Sequence, residues 1–174
     1  MHMISASDLP PIKVMICAGK AIARAVILSE DFDAAEMALK ACDIIQMQAG
    51  DGLCLRRNLW KIQALEVPEI RDLAAASAAA ADLVLISASG RRRPSQALRR
   101  WVQLWLSLKG NSEQAMLALF PRDSHPELSG WHRWPRSEIK GHHISFFMYP
   151  QPDTSQASAE YPETDTCQFR TRRD

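Results

Sequence analysis

The sequence lacks an excess of charge of either sign. Twenty-one lysines and arginines meet 20 acidic residues, for a formal net charge of +1. A dedicated nucleic-acid or membrane-surface binder relies on a net basic field, so the composition argues against both classes. Cysteine is scarce as well. Cys17, Cys42, Cys54 and Cys167 form no CxxC pair, and none stands at metal-ligand spacing from a histidine. Neither a disulfide framework nor a zinc module is expected. Thiols in apolar surroundings act as small hydrophobes, and they indicate a reducing compartment such as the bacterial cytoplasm. No run approaches the about 18 apolar residues of a membrane helix, because Lys13, Lys20 and Arg24 interrupt the segment from Ile12 to Leu28. The apolar part before Lys20 is too short for a secretory signal. Signature loops are missing too. The chain has no GxGxxG, no GxxxxGKS or GxxxxGKT, no GxSxG and no HExxH. Internal repeats are also absent.

What is present is an alternation of apolar strands and periodic helices. "AIARAVILS" is the first core strand. "EDFDAAEMALKACDIIQMQAG" has helical period, with Phe32, Ala35, Met37, Leu39, Cys42, Ile45 and Met47 on a broad stripe. Acidic residues open that helix and Gly50 and Gly52 close it. "LCLRRNLWKI" is a second strand, and "VPEIRDLAAASAAAA" a thin helix with Pro68 in its first turn. "DLVLISA" follows as a strand, then "PSQALRRWVQLWLSLKG" as a helix with Pro94 at its first position and Gly110 at its end. "QAMLALFP" and "HHISFFMYP" are the last two strands. Residues 122–141 show no clear period, and an irregular connection with one helical turn is expected there.

Near-continuous apolar strands alternating with helices imply a parallel sheet covered on both faces. Right-handed crossovers then favour a three-layer, doubly wound α/β sandwich of five strands, order 2-1-3-4-5, which is the flavodoxin-like arrangement. One domain is expected over residues 22–150. Residues 1–21 read as a lead-in, in which "IKVMICAG" is an extra strand or an extended entry. Residues 151–174 read as a polar tail that does not order.

In such sheets ligands bind beyond the carboxyl ends of the strands, near the switch in strand order. That rule selects Ser29 to Asp33, Ser87 to Arg91, Pro121 to Ser124, and Tyr149 with Pro150. Glu30, Asp31 and Asp33 offer oxygen ligands for Mg²⁺, or simply cap a helix. Ser87, Ser89, Gly90 and Arg91 offer an anion site ahead of a helix, or a solvated turn whose arginines pair with Glu30 or Asp31. The candidate ligand residues are thus Ser29, Glu30, Asp31, Ser87, Ser89, Gly90 and Arg91. Carboxylates after the first strand would repel a flavin phosphate. His125, His132, His142 and His143 lack metal spacing, and adjacent histidines on a strand point to opposite faces. No cofactor can be named. Nucleic-acid binding through Arg91–Arg93, Arg99 and Arg100 is a lesser alternative.

Trp101 and Trp105 stand four apart on one helix and stack with Leu98, Val102 and Leu108. Leu104 and Leu106 widen the apolar arc beyond one stripe. The helix is either core throughout or partly an interface, with Leu98, Trp101 and Trp105 as its contact residues.

The succession "LSEDFDAAEMA", "LW", "AAADLVLISASG", "LRRWVQLWL" and "AMLALF", over about residues 22–149, resembles an uncharacterised family of small bacterial α/β proteins. That family is similar in layout to response-regulator receiver domains. The resemblance implies acids after the first strand, which Glu30 and Asp31 match. It also implies a phosphorylated aspartate at the end of the third strand, where this chain has Ser87, Ala88 and Ser89. A lysine is implied after the fifth strand, where Pro150 stands. Phosphotransfer lacks both its acceptor and its counter-charge. The expectation is a non-catalytic, receiver-like domain that binds a protein partner, a second copy of itself included. The alternative is a binding protein or an enzyme that takes a small anionic ligand or nucleotide in the crevice at the carboxyl rim.

Overall fold

The computed structural model describes residues 22–50, 52–126, 128–131 and 133–150. The expected lead-in and tail, with Cys17 and Cys167, lie outside these residues, as does His132. The described chain runs β1 (Ile22–Ser29), α1 (Phe32–Ala49), β2 (Cys54–Lys61), a 3₁₀ turn (Ile62–Glu66), α2 (Pro68–Ala79), β3 (Leu83–Ser87), α3 (Gln96–Leu108), β4 (Gln114–Leu119), α4 (Trp134–Ile139) and β5 (Ile144–Tyr149). The five strands form one sheet of order β2-β1-β3-β4-β5. All four pairings are parallel, so every strand delivers its following loop to the same rim. This is the expected flavodoxin-like α/β arrangement. Among the described residues no helix is long and apolar enough to cross a membrane.

Side chains alternate across the sheet and build two cores. On one face Val26, Leu28, Val84, Ile86, Met116 and Ala118 meet α2, α3, the 3₁₀ turn and Trp134 of α4. On the other, Ala25, Ile27, Leu83, Leu85, Leu117 and Leu119 meet α1. β3 lies at the centre and is buried along its whole length. β2 is an edge strand, and most of its residues are exposed. Its polar sequence, with Arg56, Arg57 and Asn58, departs from the fully apolar strand pattern for that reason.

Three local expectations need correction. The buried stripe of α1 is Ala34, Ala38, Ala41, Cys42 and Ile45, while Phe32 and Met47 face solvent at 80% and 71% exposure. Small residues let the helix lie close to the sheet, and the large ones are left outside. Pro94 lies ahead of α3 rather than in it, because Ser95 is the N-cap and accepts from the Leu98 amide. The paired histidines precede β5 instead of forming its start. His143 takes a left-handed φ of 50°, and its carbonyl accepts from the Gln114 amide.

Leu98, Trp101 and Trp105 are all fully buried within the chain. The indoles of Trp101 and Trp105 stack with centroids 5.4 Å apart. The width of the α3 arc is therefore taken up by α2, the 3₁₀ turn and α4, and these three residues offer no surface to a partner. Leu108, expected in the same stripe, is half exposed.

Candidate functional site at the carboxyl rim

β1 and β3 are neighbours, and their chains leave in opposite directions to reach helices on opposite faces. That divergence places the switch point between Ser29 and Ser87, which are direct partners in register. Both serines are buried. Alternation sets them beside Ile27 and Leu85, on the face that α1 covers. The Ser87 hydroxyl has no hydrogen-bond partner.

Beyond the serines the loops bind one another. The Glu30 amide donates to the Ser87 carbonyl at 3.0 Å. The Glu30 carboxylate accepts from the Ser89 amide at 2.6 Å, across 59 positions of sequence. A short bond of this kind, with a charged acceptor, belongs to the stronger class. Gln63, from the 3₁₀ turn after β2, donates to the Glu30 carbonyl at 2.7 Å. Asp31 caps α1, accepting from the Ala34 amide at 2.8 Å. Of the two readings for the acidic corner, the geometry meets the helix cap at Asp31 and a loop tie at Glu30. Among the described residues no group of three or more histidines, cysteines or carboxylates could hold a metal ion.

The β3–α3 turn is fixed equally firmly from the other side. Gly90 has φ 71°, a left-handed conformation that glycine adopts without cost. A Cβ there would lie 3.1 Å from Phe120 Cδ1 and 3.2 Å from Ser124 Oγ. The Gly90 carbonyl accepts from the Ser129 hydroxyl, and the Arg92 carbonyl accepts from Trp131 Nε1 at 2.8 Å. Trp131 in turn meets Phe120 and Trp134 edge-on, with centroids 5.4 and 5.7 Å away. Arg99 lies over the Trp134 ring. The aperiodic stretch between β4 and β5 is thus an aromatic pillar under the rim. On the far side Arg122 donates to the Tyr149 hydroxyl at 2.7 Å.

Ser29, Glu30, Ser87 and Ser89 are therefore brought together, while Asp31 serves its own helix. Gly90 sets the turn by its backbone. Arg91, Arg92 and Arg93 point their exposure outward, and among the described residues no ion pair joins them to Glu30 or Asp31. The expected arginine–carboxylate pairing across the switch point is not formed. Sequence reasoning missed the braces Gln63, Phe120, Ser129 and Trp131. Each acts across a long sequence separation through a backbone carbonyl or an aromatic edge, which no short motif records.

A shallow cavity of about 220 Å³ lies at the opposite, amino end of β4 and β5, lined by Glu113, His143, Ile144 and Ser145. Acid, imidazole and hydroxyl are all present there, yet no hydrogen bond joins them among the described residues. It is not an assembled catalytic set.

Compared with protein-family models, with curated proteins and with solved structures, the chain matches none.

Proposed function

We propose that this chain is a non-catalytic, receiver-like protein-interaction domain of the cytoplasm, a second copy of itself being among its partners. One observation carries the reading: the Ser89 amide, the donor that an anion at the switch point would use, is already bonded to Glu30 at 2.6 Å. An incoming phosphate or carboxylate would have to displace a carboxylate and then sit beside it. The end of β3 presents Ser87 and Ser89, so a carboxylate to accept a phosphoryl group is missing from the place where receiver domains carry one. What the rim does offer is a fixed backbone with side chains turned outward, which suits recognition of a surface.

The reading is tested with a thermal-shift screen of flavin mononucleotide, ATP, GTP and inorganic phosphate, alongside acetyl phosphate treatment with mass detection. No shift and no mass gain are expected. A ligand at a hundred times its Kd would add about 2.7 kcal/mol of stability, and such a rise, or a phosphoryl adduct, would overturn the proposal. The second reading, a small anionic ligand, draws on the unpartnered Ser87 hydroxyl. It requires Glu30→Ala, which frees the Ser89 amide, to respond to phosphate more strongly than the wild type does. Self-association is tested by sedimentation at tens of micromolar, where a clean monomer would remove the second copy from the list of partners.

A further inference from the structure

The formal net charge of +1 conceals an uneven distribution. Residues 83–112 hold no acidic residue, and α3 lies wholly inside that stretch. The outward stripe of α3 begins Gln96, Arg99, Arg100 and Gln103, all exposed and spaced as one side of a helix. Each of these side chains can donate a hydrogen bond, and none is an acid. The other long helices differ. α1 carries Asp33, Glu36 and Asp43 against Lys40, and α2 carries Glu69 and Asp72 against Arg71.

Tertiary structure enlarges the stripe. α4 packs beside α3, with Arg99 over the Trp134 ring at 5.4 Å. That placement brings the exposed Arg136 and Lys140 to the same side of the sheet. Glu138, the one carboxylate of α4, is half-buried. The turn ahead of α3 adds Arg91, Arg92 and Arg93 at one end. On the far side of α3, Glu69 and Asp72 of α2 bound the basic surface, and among the described residues no ion pair joins them to α3.

We infer that the α3–α4 surface binds the phosphate backbone of a nucleic-acid duplex. This goes beyond the protein-interaction reading and does not depend on it. Arginine offers phosphate planar, bidentate donors, and the two glutamines add neutral donors for the same oxygens. α3 is about 20 Å long, the axial length of about six base pairs. A local basic face needs no large net charge to attract a polyanion at low salt. An anionic membrane suits this face less well. The apolar side of α3, with Leu98, Trp101, Val102 and Trp105, is fully buried in the core. The helix therefore has no apolar stripe left to enter a lipid layer.

The probe is a fluorescent DNA duplex of about 20 base pairs, titrated with the full chain by anisotropy between about 50 and 200 mM salt. Four phosphate contacts, from Arg99, Arg100, Arg136 and Lys140, would lower affinity about hundredfold over that range. R100E and Q103E place acids on the stripe and leave the Arg99–Trp134 contact alone. Each should weaken binding by about fivefold or more, and K140E should do the same from the neighbouring helix. K40E makes the same charge change on α1, across the sheet, and should alter affinity by less than about twofold. D72N removes a bounding carboxylate and should tighten binding. Absence of binding at about 50 mM salt, an affinity that ignores salt, or equal weakening by K40E and K140E would overturn the inference. So would tighter retention on phosphatidylserine-containing vesicles than on the duplex, which would assign the face to lipid.

Discussion

Single residues carry measurable consequences here because several are held by more than one constraint. Gly90 combines a left-handed φ of 71° with a Cβ position 3.1 Å from the Phe120 ring. Gly90→Ala should lose about 1–3 kcal/mol in denaturant titration, from backbone strain and crowding together. Trp105 is fully buried and stacked on Trp101, but the indole N–H groups of both lack acceptors. Trp105→Ala should cost about 3–5 kcal/mol. Trp105→Phe should cost clearly less, since it removes an unsatisfied donor along with some volume. A loss well under about 1 kcal/mol for the alanine variant would mean the side chain is not packed in solution.

Cys42 gives a pH signature at the same scale. Burial pushes its thiol up from 9.0 to about 12, with Arg57 offsetting part of the rise. Between pH 9 and 12 the native chain keeps this proton while the unfolded chain releases it. Stability therefore falls as pH rises through that window, by up to about 1.4 kcal/mol per unit. Burial lowers the Lys109 ammonium below 10.5, and its contribution has the opposite slope as pH approaches that value. Comparing Cys42→Ala with the wild type cancels the lysine share. The variant should lose stability less steeply above pH 9, and parallel curves would refute the assignment. Alkylation of the native protein at pH 8 should label exposed Cys54 and spare Cys42.

Elements differ in how they are secured. α1 is seated on an alanine stripe, so its position depends on close approach and on its cap rather than on large side chains. Asp31→Ala removes the acceptor for the Ala34 amide and should cost about 0.5–2 kcal/mol, read from the urea midpoint. The Arg57–Asp43 pair between β2 and α1 is 2.6 Å long, yet Asp43 is largely exposed. Asp43→Asn should change stability by less than about 1 kcal/mol. A buried polar tie counts for more. The Gln114 side-chain amide at the start of β4 donates to the Ala78 carbonyl in the last turn of α2 at 2.9 Å and to the Ala81 carbonyl just past it at 2.7 Å. It satisfies helix-terminal acceptors that water does not reach.

At the scale of the whole molecule, protection from exchange should rank with position in the sheet. β3 is central and buried throughout, and among the described residues β2 has one unpaired edge. Amides of Leu83–Ser87 should exchange only through global unfolding, and the outward amides of β2 should exchange orders of magnitude faster. Equal protection in a native-state exchange experiment would mean that another strand covers the β2 edge. The rim, by contrast, should exchange slowly at Ser89, whose amide is bonded to Glu30.

The architecture was legible from sequence because it follows from local signals. Apolar runs such as "DLVLISA" need both faces covered, periodic segments between them supply the cover, and right-handed crossovers leave few sheet orders to choose from. The absence of loop motifs likewise narrowed the chemistry before any coordinates. Periodicity cannot say what lies opposite a face, however. It left Trp101 and Trp105 divided between core and interface, and only the packing of α2, α4 and the 3₁₀ turn placed them inside. It assigned Phe32 to a buried stripe that alanines occupy instead. The Glu30–Ser89 bond, the Trp131 brace and the outward turn of Arg91–Arg93 join residues tens of positions apart through backbone groups that every residue shares. Short-range pattern thus determined which segments become strands and helices, while the pairing of distant backbone donors and acceptors decided which of their loops form a closed, rigid rim.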